Sequence, residues 1–262
     1  MEPEQVFVLR SGTLTQESAE NLLVGNLSVA DSWLVDNSRA RHLPEHYQRF
    51  KSWVLEIEPD LGALDEFFEQ VTELTPRQGM WFPRIEYITS VDSKQSQLVL
   101  RMRPAPPLES SIVLWSFSEP DPRLNPLVKG PDLSLGMQMR RAAQMHGADE
   151  AVLLTSQGYI VEGALTSLVW FRGDVLCAPG DDIDWIPSIT RKEVFAIAES
   201  MGMQTRSETV KPADLVGLEI WALSSLHGIR TVESWVDLGG PVGPARHFEA
   251  FSKRMRILSA SI

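Results

Sequence analysis

The chain has 262 residues, 43% hydrophobic and 23% charged, with a formal net charge of −11. That composition suits a soluble globular protein of one or two domains, and the acidity argues against a general nucleic-acid binder while leaving room for a local cationic pocket. A single cysteine excludes an intrachain disulfide, and with it a disulfide-stapled secreted scaffold, so a reducing, cytoplasmic setting is expected. No stretch approaches the ~20 apolar residues that span a bilayer. Met1–Arg10 lacks the basic start of a secretory signal. Of 24 basic residues only six are lysines (Lys51, Lys94, Lys129, Lys192, Lys211 and Lys253), so chemistry that needs a lysine amine has few candidates.

In chain order, Val6–Arg10 and Ser32–Val35 are predicted as short strands. Pro44–Glu58 is predicted as a helix, with Pro44 in its first turn and Pro59 ending it. Tyr47, Phe50, Val54 and Ile57 fall at helical spacing and form its core-facing stripe. Leu61–Leu74 is a second amphipathic helix, closed by Thr75-Pro76. Met80–Ser90, Gln97–Arg103 and Ile112–Phe117 are predicted strands of one sheet. Glu119-Pro120-Asp121-Pro122 and Asn125-Pro126 then hold the chain extended. The domains are therefore expected at 1–118 and 129–262, with 119–128 as the linker. In the second half the expected order is a helix over Asp132–His146, strands at Glu150–Thr155 and Tyr159–Glu162, and a hairpin of Leu168–Phe171 with Val175–Cys177. A helix at Ile189–Met201 and strands near Gln204–Val210, Glu219–Ala222 and Ile229–Val236 follow. A helix from about Pro244, basic at its end, closes the chain.

Among short motifs, His42-Leu43-Pro44-Glu45-His46 matches the H-x-x-E-H pattern of a zinc hydrolase built on His42, Glu45 and His46. That chemistry needs both histidines on one face of a continuous helix. Pro44 belongs to a first helical turn and leaves His42 outside it, so the segment is expected to be a helix start with an exposed His42, and no metal is expected. Gly239-Gly240-Pro241-Val242-Gly243 lacks the order of a dinucleotide-binding loop and is expected to be a turn.

A wider constellation carries more. Lys129 precedes the helix at Asp132. Glu162 lies in Gly158-Tyr159-Ile160-Val161-Glu162-Gly163. Ile186-Pro187-Ser188-Ile189-Thr190-Arg191 opens a helix, and Leu223-Ser224-Ser225-Leu226-His227-Gly228 follows a strand. His46-Tyr47-Gln48-Arg49-Phe50 sits on the first long helix. In this order the words resemble the class IV aminotransferases, fold-type IV enzymes that use pyridoxal 5′-phosphate. That group includes branched-chain and D-amino-acid aminotransferases and 4-amino-4-deoxychorismate lyase, and the resemblance covers nearly the whole chain.

The resemblance implies a two-domain α/β (α+β) architecture, with a smaller N-terminal α/β sandwich and a C-terminal pseudo-barrel, assembled as a homodimer. It implies that Lys129 binds the cofactor covalently and then acts as general acid and base, which desolvation of the amine favours. Glu162 would pair with the protonated pyridine nitrogen. The Ile189 and Thr190 N–H groups, the Ser225 hydroxyl and Arg49 would hold the phosphate, since a helix N-terminus and a guanidinium both suit an anion. Arg84 and the N–H groups around Leu226 are the candidates for binding an amino-acid-like substrate. The separations of 33 residues from Lys129 to Glu162 and 28 from Glu162 to Thr190 fit the lyase-like members, as does the short length.

Four features depart from the family pattern. No tyrosine lies in Gly130-Pro131-Asp132-Leu133-Ser134 just after Lys129, Ser167 stands for an asparagine, and Ser188 stands for a glycine. Ala30-Asp31-Ser32-Trp33-Leu34-Val35-Asp36 replaces an Asp- and Gly-rich segment. The readings left open are a lyase, an amino-acid transaminase, and a binding protein on the same scaffold without turnover.

Overall fold

The computed structural model describes residues 3–91 and 95–262. Lys94 and the first two residues lie outside the described residues. The chain forms two compact units, one of residues 1–108, 128–131 and 259–262, the other of 109–127 and 132–258.

The first unit opens with the hairpin β1 (Gln5–Arg10) and β2 (Thr13–Glu17), turned through Ser11 and Gly12 at positive φ. It continues with β3 (Gly25–Ser32) and the two-residue strands β4 (Val35–Asp36) and β5 (Arg39–Ala40). Helices α1 (Leu43–Ile57) and α2 (Leu64–Leu74) follow. Strands β6 (Met80–Trp81), β7 (Arg84–Ser90) and β8 (Ser96–Met102) complete it. An antiparallel sheet runs in the order β2-β1-β8-β7-β3. Alternation along the strands gives it two apolar faces. Ile85, Tyr87, Leu98 and Leu100 meet Phe50 and Val54 of α1 and Phe67, Phe68 and Val71 of α2. Val6, Val8, Ile88 and Val99 form a smaller cluster. Phe50 and Val54 of the predicted α1 stripe are buried and Tyr47 stacks on Phe68, whereas Ile57 is exposed at the frayed end. A C-terminal strand, Ala260–Ser261, pairs with β5.

The second unit holds β9 (Ser111–Pro120), α3 (Leu133–Met145), β10 (Glu150–Leu154), β11 (Ile160–Gly163), β12 (Ser167–Arg172) and β13 (Val175–Pro179). Then come α4 (Ile189–Ser200), β14 (Thr205–Glu208), β15 (Glu219–Ser224), β16 (Gly228–Trp235) and α5 (Phe248–Ile257). The eight strands run β11-β10-β9-β16-β15-β12-β13-β14. The sheet curls, and the N–H of Ile160 at one end donates to the carbonyl of Val210 beyond the other, 2.9 Å away. Alternate residues divide the faces. Leu168, Trp170, Cys177, Ile220 and Ala222 fill one core, while Val169, Phe171, Leu176, Trp221 and Leu223 pack on Val194 and Ile197 of α4 and Phe251 of α5. This is the α/β architecture with a curled half-barrel that the sequence implied. Among the described residues no helix is long and apolar enough to cross a membrane.

Several expectations are corrected. The strand at Ile112–Phe117 belongs to the second unit's sheet, paired in parallel with β10 and β16, and it runs on to Pro120, which pairs with Leu154. The predicted strand Ser32–Val35 is split between β3 and β4, and the polar strand β2 was not expected. The last helix starts at Phe248 rather than Pro244. The compact units also cut the chain elsewhere than at 118 and 129, because Val128–Pro131 docks on the first unit. The Ala30 N–H donates to the Lys129 carbonyl at 2.7 Å, and Val128 packs on the first core.

Gly130 permits that docking. It has φ +148°, and a Cβ there would meet the backbone of Val29 and Ala30 at 2.8–2.9 Å. Gly158, at φ +81°, has open space around its missing Cβ and serves as the control. We expect Gly158→Ala to cost about 1 kcal/mol from the left-handed backbone alone. Gly130→Ala should cost clearly more, on the order of 2–3 kcal/mol, because backbone must also move. Urea midpoints measure both, and equal losses would refute the docking role.

Candidate active site

In the first unit the site is built around Asp31, near the end of β3 and fully buried. Its Oδ1 accepts from the Ser32 N–H at 2.7 Å, from His46 Nδ1 at 2.8 Å and from Arg49 Nη2 at 2.8 Å. Its Oδ2 accepts from Arg49 Nε at 2.8 Å. Lys129 Nζ stands 3.7 Å from Oδ1. His46 and Arg49 reach one carboxylate because three residues apart on a helix is one face. Burial by itself would raise the Asp31 carboxyl, but the charges of Arg49, His46 and Lys129 and the His46 hydrogen bond overcome it and hold the group ionised, far below the usual carboxylate range. His46 is pushed below its ordinary value by burial against the opposing pull of Asp31, and its Nδ1 faces the carboxylate as a donor. Lys129 is half-buried. Desolvation brings its amine down to about 8, with Arg49 and Arg103 pushing the same way and Asp31 opposing. An amine at that value is neutral in roughly a tenth of molecules at pH 7.

The zinc reading fails on the same geometry. His42 Nδ1 lies 3.2 Å from Glu45 Oε1 while His46 turns to Asp31, so the two rings are committed to different carboxylates. His42 is half-buried rather than exposed, at positive φ before α1. Arg84 is paired with Glu86, next to it but one on β7.

In the second unit Glu162 is buried on β11, at one edge of the curled sheet. Its Oε1 accepts from Arg123 Nη1 at 2.7 Å and from the Ile186 N–H at 2.9 Å. Burial raises its carboxyl above the ordinary value, and Arg123 and the Ile186 N–H oppose that rise. Arg123 is held in turn by Asp121 and is pushed above its ordinary range by the two carboxylates. Ile186 also ties Glu162 to the start of α4, three residues on. There the Ser188 hydroxyl caps the helix by accepting from the Arg191 N–H at 3.2 Å. The N–H groups of Ile189 and Thr190 lie in the first turn, where intrahelical acceptors are missing. The Arg191 guanidinium stacks on Trp185, 3.7 Å from the ring centroid, and donates to the Pro179 carbonyl. Ser225 and Leu226 are half-buried in the β15–β16 turn, where the Ser224 hydroxyl accepts from the His227 N–H.

Each unit thus gathers part of the expected set, Lys129 with Arg49 in one and Glu162 with Ile189 and Thr190 in the other. Asp31, His46 as an Asp31 partner, and Arg123 were not anticipated. An acid set in the apolar run Val29-Ala30-Asp31, and an arginine in Asp121-Pro122-Arg123, are the only sequence signals for them.

Residues 28–235 match the family model for amino-transferase class IV. The chain belongs to that family. A hypothetical aminotransferase from Mycobacterium tuberculosis, solved in its PLP-bound form, superposes over 98% of both chains with a TM-score of 0.80 at 20% identity. The branched-chain amino acid aminotransferase of Escherichia coli superposes over 97% of this chain and 94% of its own, with a TM-score of 0.83 at 18% identity. At these identities the likeness is one of fold. In sequence, the Escherichia coli branched-chain-amino-acid aminotransferase is 24% identical over 136 residues, 48% of this chain and 44% of its own. A probable branched-chain-amino-acid aminotransferase of Rickettsia bellii is 30% identical over 78 residues, 30% of this chain and 27% of its own. The matched stretches thus span less than half the length of these curated relatives. In this class IV chain Glu162 lies on its expected strand and Ile189 and Thr190 at their expected helix start, whereas Lys129, expected at the head of the second domain, belongs to the first unit.

The Arg123–Glu162 pair yields a stability test. Replacing Arg123 by Leu strands a buried carboxylate, a loss of about 3 kcal/mol at pH 7.5. Without its cation, Glu162 titrates in the folded state well above its unfolded value. The folded form then gains a proton that the unfolded form lacks, so stability recovers as pH falls. Urea midpoints at pH 7.5 and 5.5 should show the deficit shrinking; a deficit that is constant with pH would contradict this account.

Proposed function

We propose that the chain is a pyridoxal-phosphate-dependent enzyme that transfers the amino group of an amino-acid-like substrate. The observation that carries the reading is Lys129, a half-buried amine brought down to about 8 and held beside a guanidinium. The first unit offers an amine and a guanidinium and the second a helix start and a buried carboxylate, and each is a donor type that this cofactor calls for. Arg49, the Ile189 and Thr190 N–H groups and Ser225 would hold the phosphate, and Glu162, paired with Arg123, would face the ring nitrogen. When bound, the cofactor supplies an electron-withdrawing ring conjugated to the substrate's amine. The protein supplies the rest. Lys129 would offer its neutral Nζ as the nucleophile that holds the cofactor and, when free, would take and return a proton at Nζ near neutral pH. Arg84 and the N–H groups around Leu226 would receive the substrate carboxylate. The chain would act as a cytoplasmic homodimer.

The relatives' names favour a transaminase of branched-chain amino acids. The spacing from Lys129 to Glu162 and on to Thr190 favours the second reading, a lyase of the 4-amino-4-deoxychorismate type. Purified protein given the cofactor should turn yellow, and borohydride should fix the cofactor to the Lys129 peptide by mass. Lys129→Ala should lose the colour and about 10²–10⁴-fold of turnover. A colourless protein that takes up no cofactor would sink the proposal. Release of pyruvate from aminodeoxychorismate, against amino transfer from leucine to 2-oxoglutarate, separates the two readings.

A further inference from the structure

Asp31 is contested by more donors than one carboxylate serves well. Its Oδ1 already receives the Ser32 N–H, His46 Nδ1 and Arg49 Nη2 at 2.7–2.8 Å, one more than its two lone pairs. Oδ2 is taken by Arg49 Nε. Lys129 Nζ comes to 3.7 Å of the same Oδ1 and stops beyond hydrogen-bond range. The lysine backbone is fixed, because its carbonyl accepts from Ala30 on β3 and Gly130 presses on Val29. The amine is therefore within reach of the carboxylate, and a donor already in place keeps it off.

We propose that His46 is a positioning residue for Lys129: by occupying Asp31 Oδ1 it prevents the lysine from closing into a full ion pair, and so keeps the amine available. The inference deepens the function proposed above and rests on it for its purpose, though not for its geometry. The charged groups that act on Lys129 are Asp31, Arg49 and Arg103. His46 reaches it through Asp31, by the hydrogen bond that its Nδ1 makes to Oδ1. A direct lysine–carboxylate hydrogen bond favours the ammonium form strongly, whereas a charge 3.7 Å away with its oxygens occupied favours it less.

The consequence is a pair of opposite shifts. His46→Leu removes one of the three donors on Oδ1, leaves a place there for the ammonium and raises the apparent pKa of Lys129 by roughly one pH unit. Asp31→Asn removes the anion and lowers it. His46→Asn, whose amide can donate from nearly the place of Nδ1, restores the original value. The measurement is the pH dependence of acetic anhydride labelling at Lys129, read by peptide mass on protein free of cofactor. Below pH 8 the leucine variant should label about tenfold more slowly than the unsubstituted protein. A leucine variant that keeps its fold by circular dichroism but labels with the original profile overturns the proposal, as does an asparagine variant that behaves like leucine.

If His46→Leu does not fold, the tautomer of His46 in the unsubstituted protein decides, by nitrogen-15 resonance between pH 6 and 9. A neutral ring protonated at Nδ1 throughout supports the competition for Oδ1. A ring that titrates with Lys129, or carries its proton on Nε2, refutes it. Because labelling needs no cofactor, a protein that shows the shifts but never turns yellow would separate a failure of the proposed function from a failure of this inference.

Discussion

The first unit depends on the requirement that a buried carboxylate be fully supplied with donors. An ionised Asp31 without partners would cost several kcal/mol, more than most single packing defects. Meeting that demand joins three separate segments. Strand β3 brings the carboxylate and its own Ser32 N–H, α1 brings His46 and Arg49 on one face, and the stretch around Lys129 brings an amine. The same requirement explains why Val128–Pro131 belongs with this unit although nearly the whole second unit's sequence lies around it. Its backbone is held by the Ala30–Lys129 hydrogen bond and by the close approach at Gly130.

Glu162 solves the same problem with a different balance. Asp31 has a bidentate guanidinium, an imidazole and a backbone N–H, and these outweigh its burial. Glu162 shares Arg123 with Asp121 and has one backbone N–H, and burial wins. Two buried carboxylates are thus pushed in opposite directions by their donor counts alone, the pattern by which proteins separate the duties of chemically similar groups. Glu162 stays responsive to what is placed near it, whereas Asp31 is committed. That difference accords with Asp31 as a fixed counter-charge and with Glu162 as a group that gains a cationic partner when a ligand ring arrives.

What could be read from the sequence divides along the range of the interactions involved. The α1 stripe of Phe50 and Val54, the hairpin across Arg172-Gly173-Asp174 and the α4 start at Ile189 are local patterns, and all three stand in the structure. Strand β9 was placed in the wrong sheet because its apolar run is equally at home in either. The choice is made by parallel pairing with β10 and β16, whose partners lie more than thirty residues downstream. Arg123 was invisible as a site residue for the same reason, and His46 was singled out only as a zinc-ligand candidate, not as a partner of Asp31. An arginine beside two prolines, or a histidine on an apolar helix face, gains meaning only from a carboxylate brought to it by the fold. Lys129 and Glu162 were legible because a family resemblance carries long-range information that composition and period do not.

The departures from the family pattern can be weighed against what their side chains do. Ser188 in place of glycine keeps the helix start usable, since its hydroxyl turns to the Arg191 N–H, a position beyond the Ile189 and Thr190 donors that an anion would meet first. The altered segment from Ala30 to Asp36 still supplies, in Asp31, the one group on which the lysine, the arginine and the histidine converge. A binding protein without turnover would have no use for an amine brought down to about 8. Holding it there means confining a lysine beside two arginines in poorly solvated surroundings, with Asp31 as the opposing charge. A solvated lysine would be more stable as an ammonium ion and useless as a nucleophile. A lysine so placed, opposed by one carboxylate and flanked by two arginines, is the environment that the function proposed above asks of Lys129.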